Sequence, residues 1–294
     1  MTLRLPARQP FAGAELLAFH GAHTIPGLES WDGECFALVL TLPLGHGTAS
    51  LRAHADHIEA RVRLVDWADL SSAVQRLRRL LDLDADPIAV DEALSIEPAL
   101  SRLVHAMPGR RASASADPFQ TTIRAIGGQQ VSLAGARTVT GRLVAALGAP
   151  IDADLAGATA LTHAFPIVEQ LADAPDEFFA MPTARRDTVR RVAAAAADGA
   201  LVLDADVDHV ETRARLLELK GIGPWTADYV VMRGLGHPDV FLDTDLVAVN
   251  ALRALGLKPT DAVRWAPWQS YALHHLWASL GTLDAAARSA TSST

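Results

Sequence analysis

Residues 216–227 read Leu216-Leu217-Glu218-Leu219-Lys220-Gly221-Ile222-Gly223-Pro224-Trp225-Thr226-Ala227. An apolar helix end runs into Gly-Ile-Gly, and Pro224, well suited to a first helical turn, restarts a helix at once. Glycine on both flanks permits positive φ and the close approach of another backbone. Ile222 between them is placed to plug the gap between the two helices. The turn then aims the N–H groups of Gly221, Gly223 and the new helix one way, which suits an anion such as a DNA phosphate. Lys220, one of only two lysines in the chain, stands beside it. The same spacing also describes a tight corner that binds nothing, and the glycines alone leave both readings open.

Helical signals surround this turn. Asp117-Pro118 is an N-cap with proline at the first helical position, opening a helix to Ile126. Gly127-Gly128 breaks it, and a second helix is expected from about Val131 to Leu147. Further helices fit 166–172, 183–198 and 206–218, and one or two more fit Val90–Met107 before the loop Pro108–Ala116. The first 66 residues read instead as strands. Gly33–Leu42 and Thr48–His54 flank the turn Pro43–Gly47, and His57–Asp66 alternates apolar with polar. A helix follows, with Asp69 as its expected N-cap and Leu70, Val74, Leu77, Leu80 and Leu81 on its buried face. The fold class is therefore α+β: a β-rich N-terminal part, then a mainly helical remainder.

The composition narrows the compartment and complicates the partner. With 294 residues, half of them apolar, the chain can bury several cores. No stretch has the length of a membrane span and there is no secretory leader, so no membrane partner and a cytoplasmic location are expected. The single cysteine, Cys35, excludes an internal disulfide and a four-cysteine cluster. The pairs His20/His23 and His54/His57 lack a third ligand in register, so neither metal nor cofactor is called for. The net charge of −8 is unusual for a nucleic-acid binder. Neither half is basic: residues 1–116 carry 11 basic and 14 acidic groups, and residues 117–294 carry 15 and 20. DNA affinity would have to come from a local site.

About twenty residues past the hairpin lies Val240-Phe241-Leu242-Asp243-Thr244-Asp245. Hairpin and acid together resemble the helix-hairpin-helix DNA glycosylase superfamily, and within it the AlkA type, 3-methyladenine-DNA glycosylase II. The likeness extends to Trp225-Thr226-Ala227-Asp228-Tyr229, to Pro267-Trp268-Gln269-Ser270-Tyr271-Ala272-Leu273-His274-His275-Leu276-Trp277, to the Gly128–Ser132 junction and to Ala180-Met181-Pro182, so it runs over nearly the whole chain. It implies three subdomains: an α+β module, 1–88; a helical module with the hairpin, 117–237; and a second helical module pairing 89–116 with 238–294. The active-site cleft is expected between the two helical parts.

By the same resemblance, Asp245 is the catalytic carboxylate and Asp243 is not. Read locally, Asp245 opens the apolar-periodic helix Leu246, Val249, Leu252, Leu255, so an N-cap role is equally natural, and the two roles are compatible. Cleaving an N-glycosidic bond builds positive charge on the sugar, which a carboxylate beside C1′ stabilises. No matching general acid stands out, and a cationic leaving base such as N3-alkyladenine or N7-alkylguanine needs none. The base has to leave the duplex. An electron-poor base suits a pocket of π-rich rings. Trp225 and Tyr229, four apart on one helical face, with Trp277 and Phe19 by resemblance, are the expected walls. Gly221, Gly223, Thr226 and Lys220 are the expected DNA contacts, joined by Gln129 and Gln130 at the position of the wedge that fills the vacated stack. The chain departs from the pattern twice, with an amide at the wedge tip where relatives carry an apolar side chain, and with Asp243 where they carry proline. A second acid there either perturbs Asp245 or faces solvent.

The expected activity is release of alkylated purines from double-stranded DNA by a monomer. The alternative is a helix-hairpin-helix protein that binds damaged DNA without cutting it. Relatives that also nick the strand carry a lysine two residues past the second hairpin glycine; that position is Trp225 here. A monofunctional glycosylase is therefore the expectation.

Overall fold

A computed structural model describes residues 1–204 and 206–279; residues 280–294 of the expected second helical module lie outside them. Five strands, β1 Thr2–Pro6, β2 Glu29–Trp31, β3 Cys35–Leu42, β4 Gly45–Ala53 and β5 His57–Leu64, form one antiparallel sheet in the order β1-β5-β4-β3-β2. Leu38 pairs with Ala49 and Leu51 with Ala60. One face carries Phe36, Leu38, Leu40, Leu51, Ile58, Ala60 and Val62 and packs against α1 (Gly13–Ala22) and α2 (Leu70–Leu80). Ala37 and Val39, on the opposite face, join a second core with Ile123, Ile126, Leu143, Val144, Ile222 and Val230. Burial on both faces explains why β3 reads as a continuous apolar run rather than an alternation.

Two local expectations are corrected here. The first 66 residues are not all strand: Gly13–Ala22 is helical, burying Leu16, Leu17, His20 and Gly21. Gly21 belongs at that crossing because a Cβ would sit 2.4 Å from the Trp31 ring. Asp69 does not cap α2 through its side chain. Its buried carboxylate accepts the Leu44 N–H at 2.9 Å, while Asp66 caps the preceding turn by accepting from Ala68 N–H at 2.8 Å.

The rest is helical: α3 Pro87–Ser95, α4 Pro98–Ala106, α5 Pro118–Gly127, α6 Leu133–Leu147, α7 Ala153–Ala156, α8 Val168–Asp173, α9 Thr183–Ala197, α10 His209–Glu218, α11 Pro224–Tyr229, α12 Leu246–Ala254, and α13 over residues 269–279. Starts follow the caps. Asp117 accepts from Gln120 N–H, Ser132 from Gly135 N–H, and Asp208 from Val210 and Glu211 N–H, so α6 and α10 begin two and three residues later than periodicity suggested. Val90, Leu94, Leu100 and Val104 share one core with Ala251, Leu252, Trp265, Tyr271 and Leu276, bringing α3 and α4 against α12 and α13. Among the described residues no helix is long and apolar enough to cross a membrane.

Candidate active site

The hairpin joins α10 to α11. Only Gly221 is left-handed, at φ +102°; Gly223 has φ −95° and ψ 173°, so the positive φ expected there is absent. Gly221 is needed for a second reason: a Cβ would lie 1.9 Å from Thr188 Oγ1, whereas among the described residues beyond its chain neighbours nothing lies within 4 Å of a Cβ on Gly223. Ile222 is buried in the second core, as its plugging role requires. Helix α9 cradles the turn. Thr188 Oγ1 donates to Lys220 O at 3.3 Å and Arg191 Nε donates to the same oxygen at 3.0 Å. The exposed Lys220 side chain and Arg191 thus flank the hairpin, a local basic pair on an acidic protein.

The turn between α5 and α6 reaches the hairpin through Gln129. Its Nε2 donates to Gly221 O at 3.2 Å and to Thr226 Oγ1 at 3.1 Å. Thr226 is buried, so its hydroxyl serves this bridge. Gln130 next to it is exposed and left-handed at φ +56°, a conformation that thrusts its side chain out of the turn.

Asp245 caps α12. Its Oδ1 accepts from Ala248 N–H at 2.9 Å and from Trp277 Nε1–H at 3.1 Å, fixing the carboxylate from its own helix and from α13. Oδ2 has no partner among the described residues. Asp243 is exposed, facing solvent. Leu246, first of the apolar-periodic residues of α12, is 77% exposed; the buried stripe is Ala248, Ala251 and Leu252. Leu246 therefore overhangs the solvent side directly beside Asp245.

Asp245 borders a cavity of about 370 Å³ whose walls include Trp225, Tyr229, Arg233, His23 and Arg124. Trp225 and Tyr229 stack at 5.1 Å between centroids, 17° from parallel, and pack with Trp277 around Leu242, Ala248 and Leu273. Phe19 enters from α1 and meets His274 at 5.3 Å, and His274 meets Trp277 at 5.1 Å. A chain of rings thus connects Phe19 to the partner of Asp245. Arg233 stands over the Phe19 ring at 5.0 Å, donates to Ser113 Oγ and bonds Tyr229. Burial, with Arg233 and Arg124 nearby, pushes His23 down to about 4, against the contrary pull of the Phe19 carbonyl.

Of the expected walls, Trp225 and Tyr229 line the cavity with Asp245, while Trp277 and Phe19 do not and are joined to it only through Asp245, His274 and His23; the hairpin and Gln129 form a second cluster. His23, Arg233, His274 and Arg191 escaped the sequence reading. Three carried a usable signal: His23 and Arg233 follow Phe19 and Tyr229 by four, and His274 precedes Trp277 by three, spacings that share a helix face.

The AlkA N-terminal domain family matches residues 2–117. Over 286 residues the chain is 44% identical to a Mycobacterium tuberculosis protein called probable bifunctional transcriptional activator/DNA repair enzyme AlkA, covering 95% of this chain and 57% of that one. The chain thus spans little more than half the length of that relative. Over 283 residues it is 31% identical to DNA-3-methyladenine glycosylase 2 of Escherichia coli, covering 92% of this chain and 95% of that one. The chain belongs to the AlkA family of DNA-3-methyladenine glycosylases. The AlkA-type fold is matched in a solved structure, the 3-methyladenine DNA-glycosylase of Archaeoglobus fulgidus, with a TM-score of 0.74 over 94% of this chain and 97% of that one at 18% identity.

Proposed function

We propose that this protein hydrolyses the N-glycosidic bond of alkylated purines flipped out of double-stranded DNA, with Asp245 as its catalytic carboxylate. The observation that carries this reading is a carboxylate pinned through one oxygen beside a cavity that Trp225 and Tyr229 line, its other oxygen without a partner among the described residues. Oδ2 is placed to face the sugar, where negative charge opposes the positive charge that grows on C1′ as the bond breaks. Trp225 and Tyr229 supply π faces for an electron-poor base. Lys220, Arg191 and the backbone N–H groups of the hairpin hold the phosphate locally, so a net charge of −8 is no obstacle. Gln130 fills the vacated stack. The cavity it would use is walled mainly by the α+β module and by residues 117–237, not by the two helical parts as expected, and Asp245 is the lining residue from beyond 237; the protein acts as a cytoplasmic monomer. Incubation with DNA containing 3-methyladenine and 7-methylguanine is expected to release both bases. Tight binding to that DNA without release would leave the non-cutting alternative.

The strand is expected to stay whole. Strand-nicking relatives attack C1′ with a lysine amine. Trp225 occupies that place, Lys220 lies before the turn, and Lys258 follows α12, away from the cavity. Quenching with borohydride should trap no protein–DNA adduct, and gels run without alkali should show intact strands bearing abasic sites. An adduct would place an amine where none is expected.

The Gln129 bridge couples wedge to hairpin. Gln129→Ala and Thr226→Val are each expected to weaken binding to abasic-analogue DNA. Sharing one bond, the double variant should fall short of the summed losses by about 1 kcal/mol. Additive losses would show that the two elements act separately.

A further inference from the structure

His23 ends α1 at the edge of the cavity, four residues after Phe19. Its Nδ1 lies 2.7 Å from Phe19 O. A carbonyl oxygen only accepts, so Nδ1 carries the hydrogen, and in the neutral ring Nε2 keeps a lone pair. Nothing among the described residues bonds Nε2, and it is not sealed in the interior. The ring is held still. It leans on the Phe19 ring at 4.6 Å, and Arg124 donates to the His23 carbonyl at 2.7 Å while its other nitrogen pairs with Glu29 at 2.7 Å.

Several charged neighbours do not compete with this acceptor. Arg124, Arg137 and Arg233 on the same cavity wall are donors only. The Glu29 carboxylate is occupied, accepting from Arg124 and, at 2.9 Å, from Ile25 N–H. Stacking alone distinguishes electron-poor rings from others but does not read their edges. An oriented lone pair beside the aromatic wall reads a donor. Alkylated adenine and guanine both present one, an exocyclic amino group, and positive charge on the ring strengthens it as a donor.

We propose that His23 is a specificity-determining residue whose Nε2 accepts a hydrogen bond from the exocyclic amino group of the extruded purine. This rests on the glycosylase reading above. The hydrogen bond selects the purine whose amino group, at C6 of an alkylated adenine or C2 of an alkylated guanine, meets Nε2 over the analogue that carries a C–H or a carbonyl at that position.

The test deletes one atom group on each side. Single-turnover release is measured for two pairs that differ only by an amino group: 7-methylguanine against 7-methylhypoxanthine, and 7-methyladenine against 7-methylpurine. Wild type, His23→Phe and His23→Gln are compared on all four. In at least one pair, loss of the amine should cost wild type about tenfold more than it costs His23→Phe, whose ring stacks but accepts nothing. His23→Gln, with an acceptor oxygen, should restore part of that discrimination. Folding differences between variants cancel, because each ratio is taken within one protein. Equal ratios for wild type and His23→Phe in both pairs would overturn the proposal while leaving the glycosylase reading intact. No release of any base by wild type would overturn both.

Discussion

Asp245→Asn is expected to lower base release by about 10³-fold or more, roughly 4 kcal/mol of transition-state stabilisation. The substitution is clean. Asparagine Oδ1 still accepts from Ala248 N–H and Trp277 Nε1–H, so cap and ring contact survive and only the charge is lost. Binding to abasic-analogue DNA should stay near normal, since the carboxylate touches no phosphate in this reading. Asp243→Asn, on a side chain facing solvent, should change release little. Exchanged effects would move the catalytic role to Asp243. Trp277→Phe keeps the ring and removes the donor to Oδ1; about tenfold in kcat with KM nearly unchanged is expected. Single-turnover release and a titration with abasic-analogue DNA measure all three.

The hairpin glycines should fail in different ways, and both effects should be large. Gly221→Val forces a left-handed residue to carry a branched Cβ directly onto Thr188 Oγ1, so the protein itself should lose stability, by several kcal/mol. A Cβ on Gly223 meets none of the described residues beyond its chain neighbours, and the backbone there has dihedrals open to valine. Gly223→Val should melt like wild type yet bind DNA weakly whatever the sequence or lesion, because its side chain fills the space a phosphate approaches. Thermal melts and affinities at fixed salt separate the two. Unchanged affinity in a folded Gly223→Val would reduce the hairpin to a corner.

The geometry of the candidate site was legible largely because its residues serve local structure too. Asp245 stands where a cap belongs, and Trp225 and Tyr229 share a helix face, so short-range spacing located them. Helix α1 was hidden because Ala14-Glu15-Leu16-Leu17-Ala18-Phe19 has no polar stripe to mark its period, and Phe19 was associated with the pocket only by resemblance. Leu246 shows the opposite case: it fits the apolar period, yet it is 77% exposed in the first turn of α12. The acceptor state of His23 is set by a backbone carbonyl one turn back, and the bridge from Gln129 spans 92 residues to Gly221. Neither has a sequence signature.

Strand β3 hands alternate side chains to two different cores, Leu38 and Leu40 to one and Ala37 and Val39 to the other. The matched N-terminal family region ends at residue 117, but a cut there would bare one side of that strand together with Ile25 and Leu28. Each large side chain so exposed forfeits about 1.5–3 kcal/mol. The sheet and the hairpin layer should consequently melt as one calorimetric unit. A substitution that loosens α1 is then felt as softening at the hairpin, and evolution has no simple seam along which to swap one for another.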